Sequence, residues 1–364
     1  MRILVTAASH AYSFILQGEA LVKGLSKIKV ENRFLPLDSL TNISSYLNEY
    51  QPDCLLAIGN WIDFDLLVKF PQKLGYRVIP WIVCDDYIID KFVDDYNQLP
   101  LILTPSNHCK DNLVRSGLKK GIIQILPEAV DNEFWYPSKE EEVSNLLTYL
   151  SVPIPCESKI NKYDLSDVKK REIPIVYTTG GDVTKKGARE VIEALSLLDK
   201  KIPWIYLIKT WPGVVTFQNT IEELKLANKF NVLDRFRYLV GEYSQSFMRD
   251  LMNLCDIYTA PSRLEGFGLP LVEAQMCGKP VVTTFGTATQ ETVVQGKTGL
   301  ICKREATADN LVKANIADLS RCLGNLITNP KMRQEMGKNA LKHAQNNYSP
   351  KIIAQQFLTL IDNL

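Results

Sequence analysis

Short apolar runs alternate with longer amphipathic stretches along the whole chain, and this rhythm limits the fold more than any other feature. The N-terminal half offers RILVT, RFLPL, DCLLAIG, RVIPWIV, LILT and IIQIL as strands. The C-terminal half offers IPIVYTT, WIYLIK, FRYLVG, DIYTAP, PVVTTF and GLIC. The runs are almost continuously hydrophobic, which suits strands covered on both faces of a parallel sheet. Between the first two, a helix is predicted over Gln17 to Ser26, with Leu16, Ala20, Leu21 and Leu25 on one face. Alternation of this kind gives a doubly wound α/β sheet, and the repetition predicts two of them with six strands each.

The rhythm lapses from Pro137 to Glu172, where PSKEEEVSNLLTYLSVPIPCESKINKYDLSDVKKRE replaces strand periodicity with charge and proline. Loops this long are uncommon inside compact domains. The expected organisation is an N-terminal domain over 1–136, a connection over 137–172 and a C-terminal domain over 173–349. One short helix is expected within the connection, around Val143 to Leu150. The tail from Pro330 to Leu364 reads as helical, with Ile352, Ile353, Phe357, Leu360 and Ile361 on one face. Pro350 fits the start of the last helix, where its missing N–H costs nothing. That helix, 350–364, is expected to pack back on the N-terminal domain.

Composition closes off several classes. The 364 residues carry a net charge of +1, so no global field draws the chain to nucleic acid. Cys54, Cys84, Cys109, Cys156, Cys255, Cys277, Cys302 and Cys322 form no CxxC pair and are accompanied by only three histidines. That scatter fits neither a zinc site nor a disulfide framework. Buried free thiols, and hence a reducing, cytoplasmic setting, are the expectation. The opening MRILVTAASH lacks the features of a signal peptide. No run approaches the roughly 18 apolar residues that span a bilayer; peripheral contact with a membrane surface stays open.

The chemistry concentrates in CDIYTAPSRLEGFGLPLVEAQMCGKPVV, Cys255 to Val282. DIYTAP reads as a strand and SRLEGFG as a tight loop. A short helix follows, with Pro270 in its first turn and Gly278 as its C-cap. In Gly266-Phe267-Gly268 the glycines let backbone N–H groups approach a ligand closely. The helix starting near Leu269 aims its free N–H groups and positive dipole end the same way. This is an anion site, able to hold a diphosphate without a metal ion. Glu265 and Glu273 bracket it. Carboxylates so near phosphates are repelled by them, yet suit sugar hydroxyls as hydrogen-bond acceptors. The structural alternative makes Glu265 a loop cap and Glu273 a helix-dipole carboxylate.

SRLEGFGLPLVEAQMCGKPVV resembles the signature of family 4 retaining glycosyltransferases, two glutamates separated by seven residues. The resemblance implies the GT-B architecture, an α/β fold of two facing Rossmann-like domains with a cleft between them. It implies that Glu273 grips the donor ribose and that Glu265 lies near the transferred sugar as its bond breaks. It also implies that no bound metal and no cofactor are needed. TTGGDVTKKG is similar to the family's donor phosphate loop, with Lys186 at the lysine position but Gly181 where an arginine is usual. Arg263 or Lys209 is then left to supply the second positive charge; Lys209, in LIKTWPG, has the better position at a strand's carboxyl end, with a snorkelling surface lysine as the structural alternative. ILTPSNHCKDNLVRSGL followed by ILPEAVDNEFWYP resembles the approach to the linker, with Glu128-Ala129 in place of Asn-Gly.

The N-terminal half departs further. TAASHAYSF stands where many relatives have a glycine-rich loop, and its His10 is either an acceptor-side residue or a merely structural one. WIVCDDY places Cys84-Asp85 where relatives often have histidine-aspartate. Asp85 there either hydrogen-bonds a sugar or acceptor hydroxyl or caps a helix.

The expected reaction is transfer of a hexose-type sugar from a UDP- or GDP-linked donor to a hydroxyl of a sugar, glycan or lipid-linked acceptor, with retained configuration. The C-terminal domain would take the donor and the N-terminal domain the acceptor, with closure excluding water. Two alternatives remain: a noncatalytic, nucleotide-binding partner subunit of a glycosyltransferase, and a nucleotide-sugar epimerase of the same fold. A nicotinamide-dependent oxidoreductase fits poorly, because no strand is followed by GxGxxG.

Overall fold

A computed structural model describes residues 1–38, 42–88, 90–139, 143, 146, 173–181, 185–305 and 312–362. The chain divides into two compact units, one of residues 1–132 with 345–364 and one of residues 133–344.

The N-terminal unit is built on β1 (Arg2–Ala8), β2 (Glu31–Leu37), β3 (Cys54–Gly59), β4 (Val78–Ile82), β5 (Ile102–Thr104) and β6 (Ile123–Ile125). Their order is β2-β1-β3-β4-β5-β6, all parallel. The unbroken apolar runs have the cause assigned to them: Ile3, Leu4, Val5, Leu55, Leu56 and Ile79 are buried with both faces of the sheet covered. The first helix, Tyr12–Lys27, begins five residues before the predicted Gln17. Its N-cap, Ala11, makes no side-chain cap, so no polar residue marks that start in the sequence. The C-terminal tail is two helices, Pro330–Tyr348 and Pro350–Ile361, with Ser349 as the N-cap of the second. Ile353, Ala354, Phe357 and Ile361 of the last helix join the core of this unit. Full burial of an aliphatic or aromatic side chain stabilises by about 1.5–3 kcal/mol, so this short helix is firmly docked.

The second unit is built on β7 (Ile175–Thr179), β8 (Ile205–Thr210), β9 (Phe236–Val240), β10 (Ile257–Thr259), β11 (Val281–Thr284) and β12 (Gly299–Cys302). The order is β12-β11-β10-β7-β8-β9, again parallel. The chain starts at the central β7, winds outward through β8 and β9, then crosses back to β10. Loops that leave β7 and β10 therefore diverge and open a crevice beyond the strand ends, the place where such sheets bind ligands.

Of the predicted connection, Val143 and Leu146 are helical and buried. The rest of its expected helix, and Cys156, lie outside the described residues. The other seven cysteines are free and buried. Among the described residues no helix is long and apolar enough to cross a membrane.

Candidate active site

Two loops meet at the crevice between β7 and β10. The loop after β7 carries Gly180, Gly181, Lys185, Lys186 and Gly187, and leads into the helix Ala188–Ser196. The loop after β10 carries Ser262, Arg263, Glu265, Gly266, Phe267 and Gly268, and leads into the helix Leu269–Met276. They are stitched together by the Arg263 N–H, which donates to the Lys185 carbonyl at 2.8 Å. Gly187 makes the approach sterically feasible. A Cβ there would lie 2.4 Å from the Pro261 carbonyl oxygen, and its φ of +76° favours glycine in any case.

Both helices begin on a left-handed glycine, Gly187 or Gly268, and neither has a side-chain cap. The positive dipole ends of both helices lie at the crevice, where first-turn N–H groups can meet a ligand. The second helix ends as its sequence predicts. The Lys279 N–H donates to the Ala274 carbonyl and the Gly278 N–H to the Gln275 carbonyl, the paired bonds of a Schellman motif around left-handed Gly278.

The side chains follow from that scaffold. Lys186 and Glu265, 79 residues apart, form a close ion pair at the mouth of the crevice. Both side chains are largely buried, at 16% and 15% exposure. Ser262, fully buried, donates from Oγ to the same Glu265 oxygen at 3.3 Å. Glu273 lies on the helix that follows, as a half-buried residue. Desolvation pushes it up to about 8, against the opposing pull of Lys186. It accepts no hydrogen bond among the described residues.

The two candidates for a second positive charge differ in what they contact. Arg263 is committed elsewhere: its Nε and Nη2 donate to the two oxygens of buried Glu190 at 2.7 and 2.9 Å. Lys209 stands at the carboxyl end of β8, next to β7, and no carboxylate pairs with it among the described residues. Its Nζ lies 5.8 Å from the centre of the Trp211 ring and 5.9 Å from that of Tyr243. Burial holds its ammonium below the usual lysine range, with Glu242 opposing the shift. At Gly181, where an arginine is usual in the family it resembles, a Cβ would lie 3.4 Å from an oxygen of buried Glu223. Tyr238 donates to that carboxylate at 2.8 Å. Gly181 itself is left-handed, with φ +60°.

His10 and Asp85 belong to the N-terminal unit. His10 follows β1, its ring edge-on to Phe14 and its Nδ1 3.6 Å from Asp63. Asp85 follows β4 as an exposed residue, and its carbonyl accepts from Asn112 Nδ2 at 2.7 Å.

Sequence reasoning passed over two supports. One is Ser262. The other is a set of buried threonines at the end of β11 and just after it, in which Thr289 Oγ1 lies 2.6 Å from Thr283 Oγ1 and 2.8 Å from Thr287 Oγ1. Thr289 also packs where a Cβ on Gly268 would lie, 3.0 Å away. The run TTFGTATQET is the only local mark such a set leaves in the sequence.

Residues 163–343 match Glycosyl transferases group 1. This segment is thus similar to the group 1 glycosyltransferases. It contains Gly181, Lys186, Lys209, Glu265 and Glu273, whereas His10 and Asp85 lie outside it. The chain is 26% identical over 220 residues to the N,N'-diacetylbacillosaminyl-diphospho-undecaprenol alpha-1,3-N-acetylgalactosaminyltransferase of Campylobacter jejuni, covering 60% of this chain and 52% of that protein. It is 27% identical over 185 residues to the capsular polysaccharide biosynthesis glycosyltransferase CapM of Staphylococcus aureus, covering 50% and 44%. The chain thus spans about half the length of the curated relatives it matches. Among solved structures, HepE of Anabaena, in complex with UDP and glucose, aligns over 100% of both chains with a TM-score of 0.74 at 14% identity. Likeness at that identity speaks to the fold alone, and it gives the chain the expected GT-B class of two α/β units.

Proposed function

We propose that this chain is a retaining glycosyltransferase that moves a hexose-type sugar from a nucleoside-diphosphate sugar to an acceptor hydroxyl, without a metal ion. The observation that carries this reading is the Lys186–Glu265 pair, set between two uncapped helix starts at the switch point of the second sheet. A diphosphate entering there meets the amides of Gly187 and Gly268 and displaces the Lys186 ammonium from Glu265. Lys209 adds a second positive charge from β8. Glu265, released from Lys186, accepts from hydroxyls of the sugar, and Glu273 accepts from those of the ribose.

In the reaction, the acceptor oxygen bonds to the anomeric carbon on the face that the diphosphate leaves. The carbon–oxygen bond to the phosphate breaks, and its electron pair departs with the diphosphate. The acceptor's proton passes to an oxygen of that leaving phosphate. Lys186 and the two helix starts stabilise the charge that develops there, and the fixed geometry supplies the orientation. The resemblance to the family 4 signature and the pairing of Glu265 with lysine both favour this front-side route over a covalent glutamyl intermediate. His10 and Asp85 are assigned to the acceptor side.

UDP is the first nucleotide to try, since HepE is described with UDP and UDP-glucose. A lipid-linked acceptor is the first class to try, as the Campylobacter jejuni relative is named for one. Thermal shifts against UDP, GDP, ADP and their sugar conjugates test the donor. A ligand at about a hundred times its Kd adds roughly 2.7 kcal/mol of stability. Turnover with a stabilising donor, product of the same anomeric configuration, and an unchanged rate in a chelator are the expected results. An inverted product would sink the retaining assignment. Binding without turnover on any acceptor would favour the partner-subunit alternative, for which Gly181 beside Glu223 is the specific observation.

A further inference from the structure

A basic pocket opens at the other end of the second sheet. Its volume is about 710 Å³, and Lys279, Lys331, Arg333 and Lys338 line it together with Ser138 and Asp256. Asp256 directly precedes β10, and Lys279 lies two residues before β11. The pocket therefore sits at the amino ends of these strands, whereas the crevice lies at their carboxyl ends. β10 is three residues long, which separates the two places by about 10 Å of strand. A volume of this order suits a small molecule rather than a polymer.

Distant parts of the chain bring the cations together. Lys331, Arg333 and Lys338 belong to the helix Pro330–Tyr348, and Lys279 follows the helix Leu269–Met276. The two helices meet at glycines: a Cβ on Gly337 would lie 2.2 Å from the Gly278 carbonyl oxygen. Glycine inside a helix is destabilising, and this close approach accounts for it here. Two of the four cations also serve the fold. Lys279 Nζ donates to the Asn253 carbonyl at 2.6 Å, and Arg333 Nη1 donates to those of Leu326 and Ile327 at 2.6 and 2.7 Å. Carbonyl contacts leave both charges uncancelled. Lys331 and Lys338 are exposed and make no ion pair among the described residues. Asp256, the one carboxylate among the described lining residues, accepts from the Ile175 N–H at 2.9 Å. The Ser138 hydroxyl is buried and has no hydrogen-bond partner among the described residues.

We propose that this pocket binds a small phosphate monoester at a site separate from the donor crevice. Four cations against one carboxylate make a local excess of positive charge in a chain whose net charge is only +1. A phosphate monoester carries about −1.5 to −2 at pH 7 and three strong acceptor oxygens, so it engages several cations at once where a single carboxylate cannot. Lys331 and Lys338 act on it as point charges on flexible stems. Arg333 keeps Nε and Nη2 unspent among the described residues, donors suited to phosphate oxygens. None of these residues lies in the loops after β7 and β10, so the site stands apart from the transferase reading.

The test is calorimetric titration of the full chain with inorganic phosphate and with glucose 6-phosphate, glucose being the uncharged control. The proteins are wild type, the double variant Lys331→Ala/Lys338→Ala, and Lys186→Ala. Wild type should bind both phosphates and not glucose. The double variant should weaken that binding about tenfold or more, as for lost hydrogen bonds between charged groups. Without ligand it should melt with the wild type, because both side chains are exposed and unpaired. Lys186→Ala should leave the affinity unchanged. No binding of either phosphate, or equal binding of glucose, overturns the proposal. So does an affinity that survives in the double variant, or one that falls only in Lys186→Ala, which would put the phosphate in the donor crevice. A wild type that binds the phosphates through Lys331 and Lys338 but does not bind UDP upholds this site and counts against the donor reading alone.

Discussion

The two units share a plan and differ in their loops. Each is a six-stranded parallel sheet whose chain crosses back beside its first strand, between β1 and β3 in one unit and between β7 and β10 in the other. In the second unit the loops at that point carry left-handed Gly180, Gly181, Gly187 and Gly268, and two helices leave them uncapped. In the first unit the loop after β1 has no glycine, and the polar pair there is His10 with Asp63. One crevice is shaped by backbone N–H groups and a lysine for an anion. The other carries an imidazole and a carboxylate, of which the imidazole is assigned above to the acceptor side. The sheet supplies the position and the loops supply the chemistry, so one fold, used twice, can be given two different jobs.

The sharpest way to break that contrast is to remove Glu265. Glu265→Ala should lower kcat about 10²–10³-fold, roughly 2.7–4 kcal/mol of transition-state stabilisation. UDP affinity should change little, because the variant leaves Lys186 and the helix starts in place. Steady-state rates beside a binding titration separate the two effects. Near-normal turnover would remove Glu265 from the reacting centre.

A pair of glycine substitutions separates close approach from backbone strain. Gly187→Ala meets both, with φ +76° and a Cβ 2.4 Å from the Pro261 oxygen, and should cost about 3 kcal/mol or more. Gly75→Ala, in the first unit, has φ +88° but nothing within 4 Å, and should cost only about 1–2 kcal/mol. Chemical denaturation of each variant measures the difference. Equal losses would mean that the loops after β7 and β10 are not pressed together as described.

The pH response sharpens the picture of Glu273. Its folded value of about 8 lies above the ordinary 4.5, so between these the folded chain holds a proton that the unfolded chain has released. Stability therefore falls as pH rises through that window and levels above it. Glu273→Gln should melt higher than wild type at pH 8, by a few degrees, with the gap closing toward pH 5. Nucleotide affinity has the opposite trend. Binding to an ionised carboxylate expels the proton, so affinity should rise with pH up to about 8, by at most tenfold per unit. Glu273→Gln should flatten that slope, and a slope that survives would assign the proton to another group.

How much of this the sequence discloses depends on distance along the chain. The helix Leu269–Met276 is legible in full, because Pro270, Gly268 and Gly278 are local signals with local causes. The strands are legible because two-sided burial writes itself as unbroken apolar runs. The Tyr12–Lys27 helix is legible only from Gln17 onward, since Ala11 offers no cap. The partners of the site residues leave no local trace. Lys186 finds Glu265 across 79 residues, and Arg263 finds Glu190 across 73. Sequence favours Lys209 over Arg263 only by its place at a strand's end, and the bidentate contact of Arg263 with Glu190 is what separates them in the structure.

The smallest expected effect belongs to the first unit. Asp63 does two things: its Oδ2 accepts from the Asn60 N–H at 2.8 Å, and its Oδ1 lies 3.6 Å from His10. The first is a helix-capping contact, whose loss costs about 1 kcal/mol. The second is too long for a hydrogen bond and reaches a histidine whose side chain is 51% exposed, so it adds little. Burial raises the Asp63 carboxyl, against the Asn60 N–H and His10, so the charged form is not strongly held either. Asp63→Ala should therefore lower the melting temperature slightly and leave UDP affinity unchanged, while Glu273→Ala weakens it. Loss of UDP binding in Asp63→Ala would mean that the first unit's crevice also serves the nucleotide, and the division of labour between the two sheets would fail.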